Sequence, residues 1–270
     1  MTSLIPWLEP SRDFGAHVTA LGAPHILCLQ EVRVRPGDAD AVARMRDRLP
    51  GYRCEFSLCN DPRNVKFRGG RAYGVATYTH DSLGTVVGAT PAWDREGRVH
   101  VTALPDHGLA VVNLYAVNGT SKPYLDPDSG EPRGDRHAYK QRFQEQVFDL
   151  AGELRANASV ILAGDWNVSR SALDVTPRLR TEEPHATARA KLNDRLAKDG
   201  WIDVLRHREP EARRYTWFGR TRTGALDAAR VDYIVVSPDL LPRVIDASIL
   251  DRREQRPGTD HAPLSLAIAR

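Results

Sequence analysis

The chain has 270 residues, of which 41% are hydrophobic and 27% are charged, and its formal net charge is +3 at pH 7. Plentiful apolar residues and a small net charge exclude a globally disordered chain and indicate an ordinary globular protein. No apolar run approaches the roughly 18 to 20 residues that span a bilayer, so we expect no membrane partner. The same small charge does not by itself argue for a nucleic-acid partner.

The three cysteines, Cys28, Cys54 and Cys59, are an odd number and do not show the paired spacing of a zinc site. The N-terminal residues also lack the basic segment and apolar core of a secretory signal. A reducing compartment is the simplest account of both observations, so we predict a cytoplasmic protein.

Apolar runs bounded by turn residues predict strands. In chain order these strands occupy residues 25–29, 73–78, 85–87, 99–104, 109–114, 160–163, 231–236, 245–250 and 264–269. Apolar residues at helical spacing predict three helices, and these occupy residues 40–49, 139–155 and 187–199. Two polar stretches, residues 121–136 and 169–184, are expected to be irregular loops.

Strands and helices alternate along the chain, but neighbouring strands such as 99–104 and 109–114 have the spacing of an antiparallel hairpin. This mixture predicts an α+β fold of packed sheets with helices outside, and it disfavours a repeating β-α-β unit. Chemical motifs lie on both sides of each polar stretch, so neither stretch is a domain linker. We therefore expect residues 1–270 to form a single domain.

Polar residues that can carry chemistry recur where apolar runs end. The set is Glu31, Tyr115, Asn118, Asp165, Asn167, Asp232, Asp260 and His261. Taken singly, a carboxylate after a strand is more often a turn former or a helix cap. Asp232 is harder to explain in this way, because an ionised Asp inside an apolar run needs a partner. Together these residues predict a cluster of carboxylate, amide and imidazole groups at one edge of the packed sheets.

Such a cluster fits metal-assisted hydrolysis of a phosphoester. Glu31 and Asp260 would offer the hard oxygen ligands that Mg²⁺ prefers. The carboxylate of Asp232 would orient the imidazole of His261, and Asp165 would orient or deprotonate a water. Neither a serine nucleophile elbow nor a phosphate-binding glycine loop occurs in the sequence, which disfavours acyl transfer and P-loop chemistry.

In order and spacing, the motifs resemble those of the endonuclease/exonuclease/phosphatase superfamily, and most of all the exonuclease III type of apurinic/apyrimidinic (AP) endonuclease. The matching pieces are Leu-Gln-Glu ending at Glu31, Tyr-Ala-Val-Asn-Gly beginning at Tyr115, Gly-Asp-Trp-Asn around Asp165, Tyr-Thr-Trp-Phe ending at Phe218, Arg-Val-Asp-Tyr around Asp232 and Thr-Asp-His-Ala-Pro around His261. The resemblance implies a four-layered α/β sandwich of two packed mixed sheets flanked by helices, the DNase I-like fold.

The resemblance also implies a catalytic apparatus. Glu31 would be the metal ligand and Asp260 would lie near the same ion, which is Mg²⁺ or, in its place, Mn²⁺. The further catalytic residues that the resemblance implies are Asp165, Asn167, Asp232, His261 and Tyr115.

The implied partner is DNA, in the form of a duplex with an abasic site or a blocked 3′ end. Asn118 would contact the scissile phosphate, and Trp217 and Phe218 would line an apolar pocket for the abasic sugar. Arg71 belongs to a loop that approaches DNA in relatives. A core strand is the alternative reading of Trp217 and Phe218, because aromatic residues in strands usually pack inward.

Three departures from the family pattern stand out. Val117 replaces a usual proline and Trp166 a usual phenylalanine, and both are plausible substitutions. The larger departure is that relatives begin with a strand bearing an active-site asparagine, whereas the first asparagine here is Asn60. We therefore expect this N-terminal strand to be missing. The open sheet edge that would result is adhesive, and a partner chain or a second copy could complete the sheet.

Three functions remain open from the sequence. The first is a DNA repair nuclease that cuts 5′ to abasic sites and trims 3′ ends. The second is a phosphodiesterase or phosphatase for a smaller substrate, and the third is a catalytically impaired homologue that binds nucleic acid or a partner. Basic residues over 206–222 interleave with aromatic ones, which suits a phosphate backbone, although a solvated arginine-rich surface has the same composition.

Overall fold

A computed structural model describes residues 12–35, 37–65, 70 and 72–269. The helices are α1 (Phe14–Ala20), α2 (Ala39–Arg46), α3 (Arg136–Arg155), α4 (His185–Asp199) and α5 (Val204–Arg208). The strands are β1 (Ile26–Leu29), β2 (Tyr52–Leu58), β3 (Gly74–His80), β4 (Val87–Ala89), β5 (Val99–Leu104), β6 (Leu109–Tyr115), β7 (Pro123–Leu125), β8 (Pro132–Asp135), β9 (Ser159–Asp165), β10 (Val175–Thr176), β11 (Ile202–Asp203), β12 (Trp217–Arg220), β13 (Leu226–Ala229), β14 (Asp232–Val236), β15 (Val244–Ile249) and β16 (Leu264–Ile268).

Two of the sequence-based expectations fall on other parts of the chain. Arg71 and residues 1–11 lie outside the described residues. The proposed contact of Arg71 with DNA and the missing N-terminal strand therefore stay predictions. Among the helices that the structure describes, none combines the length and the apolar character needed to cross a bilayer.

Six strands form the central sheet, in the order β11-β14-β9-β6-β5-β4. All neighbours pair antiparallel except β6 and β9, which are parallel. A parallel pair needs a long crossover, and α3 with the segment before it provides one. The predicted hairpin of β5 and β6 is confirmed, and its turn ends at Gly108 in the left-handed conformation.

A second layer of strands contains the sheet β1-β3-β2 and the hairpin β15-β16. Ile26 of β1 and Leu264 of β16 pack with Val111, Ile161 and Ile234 of the central sheet in one apolar cluster. This cluster is the core between the two layers. Within the described ranges, β1 pairs only with β3 and β16 only with β15, so each strand has one edge without a neighbour.

Helices cover the outer faces of both strand layers. Val147 of α3 and Leu192 of α4 pack with Val112 on the other face of the central sheet. Met45 of α2 packs with Tyr78 of β3, together with α1. Because successive residues of a strand point to opposite faces, β6 is buried on both sides. The order helix, sheet, sheet, helix confirms the predicted four-layered α+β sandwich of the DNase I-like type.

The irregular loop expected over residues 121–136 is wrong. That stretch contains the hairpin of β7 and β8, and α3 begins at its end. The side chain of Asn64 accepts a hydrogen bond from the Leu125 amide and donates to the Leu125 carbonyl. Tyr124 stacks on Tyr139, with ring centroids 3.9 Å apart. The strands are short and each begins with a proline, so no apolar alternation announces them.

The buried side chain of Asn113 joins the two strand layers. Its amide group donates to the carbonyl of Ala76 at 2.9 Å and to the hydroxyl of Thr77 at 3.1 Å, both on β3. Its oxygen accepts a hydrogen bond of 2.7 Å from Gln30, the residue before Glu31. A polar residue at the centre of a strand is tolerated because its partners satisfy it. Asn113 thereby fixes the end of β1 that carries Glu31.

Replacing Asn113 by leucine should lower the free energy of unfolding by about 3 kcal/mol, because Gln30 and the β3 acceptors would lose buried partners. Urea unfolding followed by circular dichroism measures this change. Asn157→Ala, at an exposed position after α3, is the matched control and should stay within about 0.5 kcal/mol of wild type. A loss below about 1 kcal/mol for Asn113→Leu would contradict the bridging role.

Candidate active site

Three ionisable side chains meet where β9 ends, β14 begins and the chain enters β16. Asp165 and Asp232 are register partners on the neighbouring strands β9 and β14, and both are buried. His261 lies opposite Trp217 in an isolated bridge that brings it to the same edge. One ligand atom from each of Asp165, Asp232 and His261 lies within 4.8 Å of the others.

His261 and Asp232 form a hydrogen-bonded ion pair, with 2.9 Å between Nδ1 and Oδ2. Burial acts to lower the pKa of His261, but the charge and hydrogen bond of Asp232, together with Asp165, outweigh it and raise the pKa to about 9. The imidazole is therefore protonated at neutral pH, and its Nε2–H is left to donate to another group. The main-chain amide of Asp232 donates to the buried hydroxyl of Thr216, which holds the start of β14.

Asp165 has a raised affinity for a proton. Burial is the largest cause, the neighbouring charge of Asp232 is the second, and together they raise its pKa to about 7, although His261 acts in the opposite direction. The preceding residue, Gly164, can only be glycine, because a Cβ there would collide with the carbonyl of Leu114. This close approach of β9 to β6 fixes where the Asp165 carboxyl points.

Asn167 and Glu31 both have left-handed backbone conformations, with φ of 52° and 54°. Such conformations are strained for residues other than glycine and persist where the surroundings impose them. The main-chain amide of Asn167 donates to Asp165 Oδ1 at 2.8 Å, and its side-chain amide donates to the carbonyl of Ala116 at 2.8 Å. Its own carbonyl accepts a 2.6 Å hydrogen bond from Lys140.

Glu31 and Tyr115 are brought together from different layers. The Tyr115 hydroxyl donates to Glu31 Oε1 at 2.5 Å, and Arg33 pairs with Glu31 Oε2 at 2.7 Å. Burial, followed by the charge of Glu31, raises the pKa of Tyr115, so this phenol remains a neutral donor. The Glu31 charge also contributes to raising the pKa of Asp165, which places Glu31 in the electrostatic environment of the cluster.

The acidic residue expected beside Glu31 has a different partner. Asp260 is exposed, and its Oδ2 accepts a 2.9 Å hydrogen bond from the indole of Trp217. In the residues that the structure describes, Asp165, Asp232 and His261 are the group whose ligand atoms lie close together, and Asp260 is not among them. The role of Glu31 and Asp260 as metal ligands therefore stays a prediction, and in this structure the Asp260 carboxylate accepts a hydrogen bond from the Trp217 indole.

Trp217 and Phe218 do not lie side by side at the site. They are consecutive residues of β12, so their side chains leave opposite faces of the strand. Trp217 reaches Asp260, whereas Phe218 packs in a small apolar cluster with Ile249 and Ala262. The guanidinium of Arg256 lies 4.0 Å from the Phe218 ring centroid. The apolar pocket expected from both rings stays a prediction.

A buried arginine behind the site was not foreseen from the sequence. The Arg98 guanidinium lies 4.7 Å from the Tyr73 ring and 4.9 Å from the Tyr115 ring, and it donates to the Tyr115 carbonyl at 3.1 Å. Its charge is balanced by the fully buried Glu96, which also binds both terminal nitrogens of Arg136 at 2.8 Å. Arg98 therefore holds Tyr115 in place through contacts with its ring and its carbonyl.

Lys140 is a second residue that sequence reasoning missed. It is 6% exposed, and burial lowers its pKa to about 8 although the Asp165 charge acts to raise it. A signal was present, because Lys140 and Gln144 occupy the helical stripe that continues with Val147. A lysine on the buried face of an amphipathic helix needs an acceptor, and the Asn167 carbonyl provides it.

The donor set suits a hard cation. The carboxylates of Asp165 and Asp232 lie close together, the charge of Glu31 reaches Asp165, and Mg²⁺ prefers such oxygen ligands to sulfur or nitrogen. Cys28 lies in β1, Cys54 lies in β2 and Cys59 follows β2, and all three are free thiols. The arrangement can therefore hold a divalent metal, hold an imidazolium and accept a proton within one small volume.

The His261–Asp232 pair makes stability depend on pH. Because the folded state raises the pKa of His261 from 6.5 to about 9, its stabilisation is full below pH 6.5 and is lost as pH rises through 9. We expect the free energy of unfolding to fall by about 3 kcal/mol over this range in EDTA. Urea titrations at several pH values measure it.

Asp232→Asn should flatten this pH dependence, since it removes the charge that holds the proton on His261. Asp194→Asn, an exposed position on α4, is the matched control and should keep the wild-type slope. An unchanged slope in Asp232→Asn would show that the pair does not govern the titration.

Several known proteins are similar to this chain in amino-acid sequence or in fold. The chain is 27% identical over 257 residues to an exodeoxyribonuclease of Bacillus subtilis, which covers 90% of this chain and 87% of that protein. A solved AP endonuclease of Leishmania major has a TM-score of 0.73 at 24% identity, covering 98% of this chain and 84% of that one. The 3′ phosphatase NExo from Neisseria, bound to a product DNA hairpin, has a TM-score of 0.69 at 24% identity, covering 99% and 96%.

The family model described as Endonuclease/Exonuclease/phosphatase matches residues 6–261, which is nearly the whole chain. That match includes every residue of the cluster, from Glu31 to His261. The chain belongs to the endonuclease/exonuclease/phosphatase family.

Proposed function

We propose that this protein is a metal-dependent phosphodiester hydrolase that acts on DNA, with AP endonuclease and 3′–5′ exonuclease activity and Mg²⁺ as its metal. The observation that carries the proposal is the group formed by the buried Asp165 and Asp232 and the partly exposed His261, whose ligand atoms lie within 4.8 Å of one another, together with the Glu31–Tyr115 hydrogen bond. A proton acceptor, a charged donor and oxygen ligands are the parts that phosphodiester hydrolysis needs.

Each residue has a role that its contacts support. With a pKa near 7, Asp165 is able to take a proton from an attacking water at neutral pH, and Asn167 orients that water. The Nε2–H of His261 donates to a phosphate oxygen, while Asp232 holds the other ring nitrogen. When substrate binds, the Tyr115 hydroxyl leaves the Glu31 carboxylate and donates its hydrogen bond to the same phosphate.

The carboxylates of Glu31, Asp165 and Asp232 would hold Mg²⁺. When bound, the ion neutralises the negative charge that develops on the phosphate oxygens. The strained backbone of Glu31 and its contact with Tyr115 keep its carboxylate directed at the cluster. Asp260, held by the Trp217 indole, lies at the rim and would act on the metal through outer contacts.

DNA is the proposed substrate because the relatives are DNA enzymes by name and one of the similar structures holds product DNA. Exposed Asn118 follows Tyr115 along the chain and supplies an amide for the scissile phosphate. The Trp217 ring at the rim supplies an apolar surface for a sugar that has lost its base. An abasic site or a blocked 3′ end is therefore the proposed lesion.

Asp165→Asn should slow cleavage of a duplex oligonucleotide with one abasic site by about 10²–10⁴-fold in Mg²⁺, because asparagine cannot accept the proton of water. Product release is measured on denaturing gels. Asp194→Asn, exposed on α4, should cleave like wild type. Equal product release by Asp165→Asn and wild type would contradict the proposal.

Three further measurements separate the rival functions. Excess EDTA should abolish cleavage of the abasic duplex, and Mg²⁺ should restore it. Turnover of bis(4-nitrophenyl) phosphate without cleavage of any DNA would favour a smaller natural substrate. Binding of the duplex without turnover in Mg²⁺ or Mn²⁺ would favour a homologue that has lost catalysis.

A further inference from the structure

Two imidazoles lie next to each other at the first turns of α3 and α4. His137 lies in the first turn of α3 and His185 begins α4. Their ring centroids are 6.1 Å apart, and the rings meet edge to face at 83°. Within the described part of the chain, neither ring makes a hydrogen bond. We call these two residues the imidazole pair.

The imidazole pair is continuous with the site through Gly119. A Cβ at Gly119 would collide with Nδ1 of His137, so the ring lies directly against this residue. Asn118, the proposed contact of the scissile phosphate, is the adjacent residue along the chain. One turn further along α3, Lys140 donates to the carbonyl of Asn167. The pair therefore stands about one residue beyond the point where the scissile phosphate would be held.

The surroundings of the pair are rich in positive charge. Burial is the largest cause of the lowered pKa of His185, followed by the charges of Arg180, Lys140 and His137. The charge of Glu182 acts in the opposite direction. Cations and imidazoles gathered in this way favour an anion.

We propose that the imidazole pair, with Arg180, is a subsite for the phosphate that neighbours the scissile phosphodiester in the same DNA strand. The inference rests on the proposed function, since it extends the substrate by one phosphate from Asn118. Ring N–H groups and a guanidinium are donors that match phosphate oxygens. The subsite would select a polynucleotide over an isolated phosphodiester, because an isolated phosphodiester has no second phosphate to offer.

Binding of DNA with one altered phosphate tests the subsite without requiring turnover. The probe is a fluorescent duplex with one abasic site, and its Kd is measured by anisotropy in EDTA. Two further duplexes carry a single uncharged methylphosphonate at the phosphate on either side of the scissile one. The proteins are wild type, the double variant His137→Gln/His185→Gln and His25→Gln, which alters an exposed histidine just before β1.

The double variant should bind the unmodified duplex about 10-fold more weakly than wild type does, which corresponds to about 1.4 kcal/mol. One of the two methylphosphonates should weaken wild type to a similar extent and leave the double variant unaffected. Two groups that contact each other show this non-additivity. His25→Gln should respond to both modified duplexes as wild type does.

Additive losses for both methylphosphonates, or wild-type affinity in the double variant, would overturn the subsite. So would a wild type that does not bind the abasic duplex. A wild type that binds with the expected non-additivity but does not cleave in Mg²⁺ would keep the subsite and overturn the hydrolase. A wild type that cleaves, with additive losses, would overturn the subsite alone.

Discussion

One electrostatic constraint organises the site. Two carboxylates lie side by side in a buried environment, and the positive charge of one imidazole offsets the repulsion between them. Asp165 and Asp232 are register partners on β9 and β14, so the sheet itself sets their separation. Neither can ionise freely unless a positive charge is near. His261 supplies that charge, and in return its proton is held to about pH 9.

Much of the surrounding structure serves to keep this arrangement in place. Gly164 allows β9 to approach β6 at a distance that no other residue permits. Asn113 links the end of β1 to β3 by hydrogen bonds, and the Arg98 guanidinium packs against the ring of Tyr115. Asn167 holds a strained backbone between the Ala116 carbonyl and Lys140. These contacts pre-organise groups that would otherwise repel one another or turn towards water.

The strand-end pattern foretold most of the site. Glu31, Asp165, Asp232 and His261 follow or begin apolar runs, and the edge of a sheet is where such residues converge. Their order also carried the family resemblance, which the family match over residues 6–261 confirms. The fold class followed from the mixture of hairpin spacing and intervening helices. Residue roles beyond this convergence stay predictions, because they concern a substrate and a metal.

What the sequence could not reveal depends on contacts between distant segments. Arg98 belongs to the site only because Tyr115 of β6 lies against it, and no local pattern encodes that contact. Lys140 stands on the apolar stripe of α3, but that pattern does not identify Asn167 as its acceptor. The separation of Trp217 from Phe218 follows from which face of β12 is covered, and single-strand periodicity does not say which neighbour covers it. The β7–β8 hairpin escaped notice because its short strands are held by stacking and by Asn64, without apolar alternation.

The titration of His261 by ¹⁵N NMR, in wild type and in Asp232→Asn, tests this constraint most directly. We predict an imidazole pKa near 9 in wild type, because the carboxylates of Asp232 and Asp165 outweigh burial. In Asp232→Asn the pKa of His261 should fall by at least about one unit, since burial then meets less opposition. An ordinary imidazole pKa in wild type, or the same raised value in both proteins, would show that the carboxylates do not hold the proton on His261.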